Sequence, residues 1–128
     1  MQRVLIVDDD LGVLALMRRH IERAFQCQVE AVSSFHEAIE ALQVGVFDAL
    51  ITDFALDNCH TGVALLGDGS FGNSDCQAIL ITGLDDPSIE EQARRVGFVS
   101  CVVKDQRFLE RLTAAVDVLG VLQYRSRT

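Results

Sequence analysis

The sequence predicts an α/β fold, a (βα)5 doubly wound parallel sheet of five strands with helices on both faces. Three observations lead there. Short apolar runs recur, each too short for a helix and each bounded by turn residues; they are apolar at consecutive positions, as strands buried on both faces are; and segments of helical period separate them. Strands joined by helices through right-handed crossovers pair in parallel.

The elements follow in order. The first strand, Val4–Val7, runs straight into Asp8, Asp9 and Asp10. The next segment, Leu11–Phe25, sets Leu14, Met17, Ile21 and Phe25 on one helical face. After the strand Val29–Val32, a capping box of Ser34 and Glu37 opens the helix Ser34–Val44, which buries Ala38, Ile39 and Leu42 and stops at Gly45. The third strand, Ala49–Ile51, leads to Asp53. From Gly62 to Gln77 one apolar turn precedes Gly67, Gly69, Gly72 and Asn73, so the third helix should be short or irregular. The fourth strand, Ala78–Ile81, ends at Thr82 and Gly83; Asp86 and Pro87 then make an N-cap and first turn for Ser88–Val96, which Gly97 ends. The fifth strand, Val99–Val103, delivers Lys104 and Asp105, and Phe108–Leu122 closes the pattern as an apolar-periodic helix.

The chain has 128 residues, 49% of them hydrophobic and 23% charged, with one proline, which suits a single folded domain over residues 1–128. Residues 123–128 read as a tail or the start of a linker. With 19 acidic residues against 11 basic ones the net charge is -8, which opposes direct binding to nucleic acid or to an anionic membrane. Cys27, Cys59, Cys76 and Cys101 lack the spacing of a zinc site, and a chain of this size needs no disulfides, so all four are expected as free thiols. No segment reaches the ~20 apolar residues of a membrane span, and the sequence opens on a strand rather than a leader, so a cytoplasmic location is expected.

Ligands of an open parallel sheet bind beyond the carboxyl ends of its strands. Those ends carry Asp8, Asp9 and Asp10, then Asp53, Thr82 and Lys104. Carboxylates make a hard-oxygen site suited to Mg2+, and a hydroxyl beside a fixed cation suits a phosphoryl group. A Mg2+-dependent phosphoryl site with a carboxylate nucleophile is the leading reading.

With these residues in view, "VLIVDDD", "LITDFAL", "AILITG" and "GFVSCVVKD" resemble the receiver domain of bacterial two-component response regulators over essentially the whole chain. The resemblance implies a flavodoxin-like sheet of order 2-1-3-4-5. It implies Asp53 as phospho-acceptor, Asp8 and Asp9 as the acidic pair holding Mg2+, and the backbone carbonyl of Ala55 as a further metal ligand. Thr82 would hydrogen-bond a phosphoryl oxygen and Lys104 would pair with it, while Asp10 falls to the helix start. The donor would be a histidine kinase or histidine phosphotransfer protein. The output would pass to a protein partner through the face of the fourth helix, fifth strand and fifth helix, near Arg94, Arg95, Arg107 and Arg111. Such a domain is a phospho-acceptor that switches contacts, not a turnover enzyme.

The chain departs from the family pattern at several points. Asp105 replaces the usual proline after the lysine, so the turn is either trans or strained; Asp57 replaces another proline, within a loop that also holds His60. Asp57 is expected as a solvated loop carboxylate and His60 as a surface residue. Cys101 stands where receivers carry a switching ring, which it is too small to replace, so the aromatic readout should be lost or altered. Ala55 and Leu84 offer no group to activate water, so a phosphorylated form should be long-lived. Two alternatives accompany the leading reading: a degenerate receiver acting as a phosphorylation-independent interaction module, and a haloacid-dehalogenase-like phosphatase with Asp8 as nucleophile and Asp10 as general acid, which leaves Asp53 unexplained.

Overall fold

The computed structural model describes residues 1–66 and 75–125. Strands β1 (Gln2–Val7), β2 (Phe25–Val32), β3 (Ala49–Asp53), β4 (Gln77–Thr82), β5 (Ser100–Val103) and β6 (Gln123–Tyr124) form one sheet, in the order β5-β4-β3-β1-β2-β6. The first five pair in parallel, as expected; β6 is an antiparallel addition at the β2 edge. Helices α1 (Leu11–Ala24), α2 (Phe35–Val44), α3 (Pro87–Val96) and α4 (Phe108–Leu119) cover both faces. The expected third helix is, in its described part, a 3-10 turn at Gly62–Leu65; Gly67, Gly69, Gly72 and Asn73 lie outside the described residues.

The period of two along β1 explains the two cores. Val4 and Ile6 face one side, with Met17 and Ile21 of α1 and Leu112 and Val116 of α4; Leu5 and Val7 face the other, with Ala38 and Leu42 of α2 and Ile89 and Ala93 of α3. Burying each of the Val, Leu, Ile and Met side chains is worth ~1.5–3 kcal/mol, and that holds the strand ends in place.

Two expectations need correction. Phe25 does not end the first helix; it begins β2, fully buried and stacked on Tyr124 at 4.7 Å between ring centroids. The last helix does not reach Leu122, because Gly120 turns left-handed at φ 71° and releases the chain to pair with β2. The capping box at Ser34 forms as expected, with Glu37 N–H on Ser34 Oγ at 3.1 Å and Glu37 Oε1 accepting from the hydroxyls of both Ser33 and Ser34. Gly45 ends α2 in extended rather than left-handed backbone. The four cysteines are free thiols, and no described helix is long and apolar enough to cross a membrane.

Candidate functional site

The carboxyl ends of β1, β3, β4 and β5 lie side by side, since β1 pairs with β3, β3 with β4 and β4 with β5. Asp8 follows β1 and is wholly buried; Asp53 ends β3 and is 6% exposed; Asp9 is open to solvent. One carboxylate oxygen from each of these three falls within 4.8 Å of the others. Lys104, just past β5, reaches back across the sheet. Its Nζ donates to Asp8 Oδ2 at 2.8 Å and stands 3.2 Å from Asp53 Oδ1.

Asp8 and Asp10 divide their work. Asp8 Oδ1 accepts the backbone N–H of Asp10 at 2.9 Å, which leaves its other oxygen to Lys104. Asp10 is the N-cap of α1 and accepts from the N–H groups of Gly12 and Val13. Asp10 Oδ1 thus caps α1, whereas the phosphatase alternative would make Asp10 the general acid, and that alternative still gives Asp53 no role.

Burial pushes the Asp53 carboxyl up to about 6, the Asp8 charge pushes the same way, and Lys104 only partly counters them. For Lys104 burial alone would favour the neutral amine, but its hydrogen bond to Asp8 and the charges of Asp53 and Asp8 outweigh that and hold its affinity for a proton above the ordinary value. One ammonium thus faces more negative charge than it neutralises. The all-oxygen, like-charged donor set has the chemistry a hard divalent cation matches.

Thr82 ends β4, 2% exposed, and its Oγ1 accepts the Leu84 N–H at 3.1 Å, while its carbonyl accepts the Lys104 N–H at 2.7 Å. Ala55, two residues past β3, forms a bridge with Thr61, and Gly62 N–H donates to the Phe54 carbonyl at 2.7 Å. Gly62 carries no sequence signal of its own, yet a Cβ there would lie 2.2 Å from the Asp53 carbonyl oxygen and 2.7 Å from Thr52 Oγ1. Nothing local distinguishes it from the other glycines; the requirement comes from the approach of β3.

The departures sort themselves. Among the described residues no peptide bond is cis, so the turn at Asp105 is trans. Asp105 turns away from Lys104 to pair with Arg111 and to accept the Arg107 N–H. Asp57 accepts the N–H groups of Cys59 and His60, each at 2.8 Å, and His60 Nδ1 at 3.0 Å, so this loop carboxylate is held by its own turn. The His60 ring lies half-exposed against Phe35, 4.1 Å between centroids. Cys101 is partly buried against the α3 side of the sheet, and burial raises its thiol above the ordinary value. Arg94 and Arg95 pair with Glu90 and Glu91 of the same helix, so with Arg111 three of the four arginines named on this face are neutralised locally.

Comparison with known proteins agrees with this geometry. The model of the response regulator receiver domain matches residues 4–117. No curated protein matches the chain. A CheY-like response regulator receiver domain protein from Methanospirillum hungatei superposes with a TM-score of 0.80 at 21% identity, covering 94% of both chains. A response regulator protein from Burkholderia pseudomallei, with a phosphorylated aspartic acid, a calcium ion and citrate, superposes at 0.77 and 21% identity over 94% of this chain and 72% of that one. TrrA from Thermotoga maritima, in complex with Mg2+ and BeF, does so at 0.77 and 22% identity over 93% and 99%. Carboxylates and a lysine gathered from distant strands at one sheet edge, on this topology and under this family match, place the chain in the family of response regulator receiver domains.

Proposed function

We propose that the chain accepts a phosphoryl group on Asp53 from a histidine kinase or histidine phosphotransfer protein, with Mg2+ as cofactor, and that the modified domain changes its protein contacts. The observation that carries this reading is the single Lys104 ammonium bridging two buried carboxylates beside an exposed third. Asp8, Asp9, Asp53 and the Ala55 carbonyl would hold the cation, which supplies neutralisation of phosphoryl charge when bound.

The remaining work belongs to the chain. Near neutral pH most Asp53 carboxyls are ionised, so one oxygen is available to attack phosphorus. The new P–O bond forms as the P–N bond to the donor imidazole breaks, and the imidazole leaves with its electron pair and takes up a proton. Lys104 exchanges part of its pairing with the carboxylates for the added oxygens. Thr82 donates its hydroxyl hydrogen to those oxygens, and because the same Oγ1 accepts the Leu84 N–H, its movement ties the charge change to the loop after β4. The side chains of Ala55 and Leu84 present no base for water, in keeping with a long-lived product. On this reading the domain is a phospho-acceptor that undergoes one modification per cycle rather than an enzyme.

Incubation with acetyl phosphate tests it. Labelling should require Mg2+ and vanish in Asp53→Asn. Label persisting in that variant would move the nucleophile elsewhere, and failure to take up beryllofluoride with Mg2+ would favour the phosphorylation-independent module.

A further inference from the structure

Positive charge is scarce in a chain of net charge -8, yet four arginines meet far from the carboxylate edge. Arg18, Arg19 and Arg23 of α1, with Arg125 just after β6, line a shallow groove of about 550 Å3 that also includes Ala15 and Glu22. All four are exposed. Four positive charges against the single Glu22 leave the groove at +3. The helix rises about 1.5 Å per residue, so Arg23 stands about 20 Å from Asp10 at the opposite edge of the sheet.

The groove exists because the chain turns back. Gly120 ends α4, Gln123 and Tyr124 pair with β2, and the Arg125 N–H donates to the Ala24 carbonyl at 2.9 Å. Glu22 then fixes half of the arginines. Its Oε1 accepts Arg18 Nε at 2.8 Å and its backbone carbonyl accepts Arg125 Nε. The side chains of Arg19 and Arg23 have no ion pair or hydrogen-bond partner among the described residues. Two guanidinium groups are therefore held in place, which lowers the ordering cost of recognising several carboxylates at once, and two, without a partner among the described residues, are open to pair with a ligand.

The size of the charged area selects the occupant. At physiological salt the field of a charge decays over ~8 Å, so a ligand confined to the groove meets its net positive charge. A duplex or a membrane plane extends further and meets the negative remainder of the molecule. We propose that the groove between α1 and β6 docks a short acidic peptide segment of a partner protein, independently of the chemistry at Asp53.

The test is fluorescence anisotropy of the full chain with a short labelled peptide of alternating Glu and Ala. Binding should saturate, weaken as salt rises, and stay the same with or without Mg2+ and acetyl phosphate. It should fall at least about tenfold in Arg19→Glu/Arg23→Glu and largely survive in Arg19→Lys/Arg23→Lys. Backbone amide shifts in the unmodified protein should map to the second half of α1 and to residues 123–125, a readout that does not depend on how the variants fold. Non-saturating binding, equal binding by the charge-reversed variant, or shifts confined elsewhere would overturn the proposal. So would tighter binding of a DNA duplex or of phosphatidylserine vesicles than of the peptide.

Discussion

Replacing Asp53 by Asn should stabilise the metal-free protein, although it removes the residue on which the proposed chemistry depends. Burial and the neighbouring Asp8 charge raise the Asp53 carboxyl from 3.8 to about 6. Between those values the folded state holds a proton that the unfolded state releases, so the free energy of unfolding falls as pH rises through this window. Below the lower value both states are protonated and nothing is lost. Above the upper value the ionised carboxylate costs about 3 kcal/mol relative to its neutral form, at ~1.4 kcal/mol per pH unit. Asparagine keeps the shape without the charge. In the presence of a chelator at pH 7.5, urea unfolding of Asp53→Asn should show a gain approaching ~3 kcal/mol, or a melting temperature higher by roughly 5–12 °C for a chain of this size. The gain should shrink toward pH 4, and added Mg2+ should stabilise the unmodified chain more than the variant. A variant less stable than the parent at pH 7.5 without metal would refute the account, because it would mean that Lys104 compensates the buried charge in full.

The other predictions concern the supports of the site. Lys104→Met leaves Asp8 and Asp53 without their counter-ion and should cost roughly 3–5 kcal/mol at neutral pH in chemical denaturation, with a smaller deficit near pH 5, where Asp53 takes up a proton. Gly62→Ala drives a methyl group into the Asp53 carbonyl and should destabilise by roughly 2–3 kcal/mol in thermal melts. Asp10→Ala should cost about 1 kcal/mol through the lost cap of α1 yet retain Mg2+-dependent labelling, whereas Asp9→Ala should keep its stability and label poorly; equal loss of labelling in both would assign Asp10 to the metal.

Much of the fold was legible because its signals are local. An apolar run bounded by turn residues marks a buried strand wherever it lies, and caps such as Asp10, Ser34 and Asp86 act on N–H groups two or three residues away. The carboxyl end of each strand places its last residue or the one or two after it at one sheet edge, which is why Asp8, Asp9, Asp53, Thr82 and Lys104 stood out in the sequence, together with Asp10 and Asp105, which the structure turns to other partners. The boundary at Phe25 was not legible, since a buried aromatic residue satisfies helical period and strand burial equally; Tyr124, at the far end of the chain, decides between them.

The sequence by itself determined the parallel α/β architecture and the set of chemical groups at the strand ends. Only the tertiary structure decided how those groups spend their charge. It assigned Lys104 to Asp8 and Asp53, turned Asp105 toward Arg111, neutralised Arg94 and Arg95 within their own helix, and left the side chains of Arg19 and Arg23, beside Arg125, without a partner among the described residues. The reason is that periodicity and capping act between residues a few positions apart, whereas ionic pairing and burial depend on distances in space. Lys104 and Asp8, 96 positions apart in the chain, meet only after the four strands β1, β3, β4 and β5 have stacked in register.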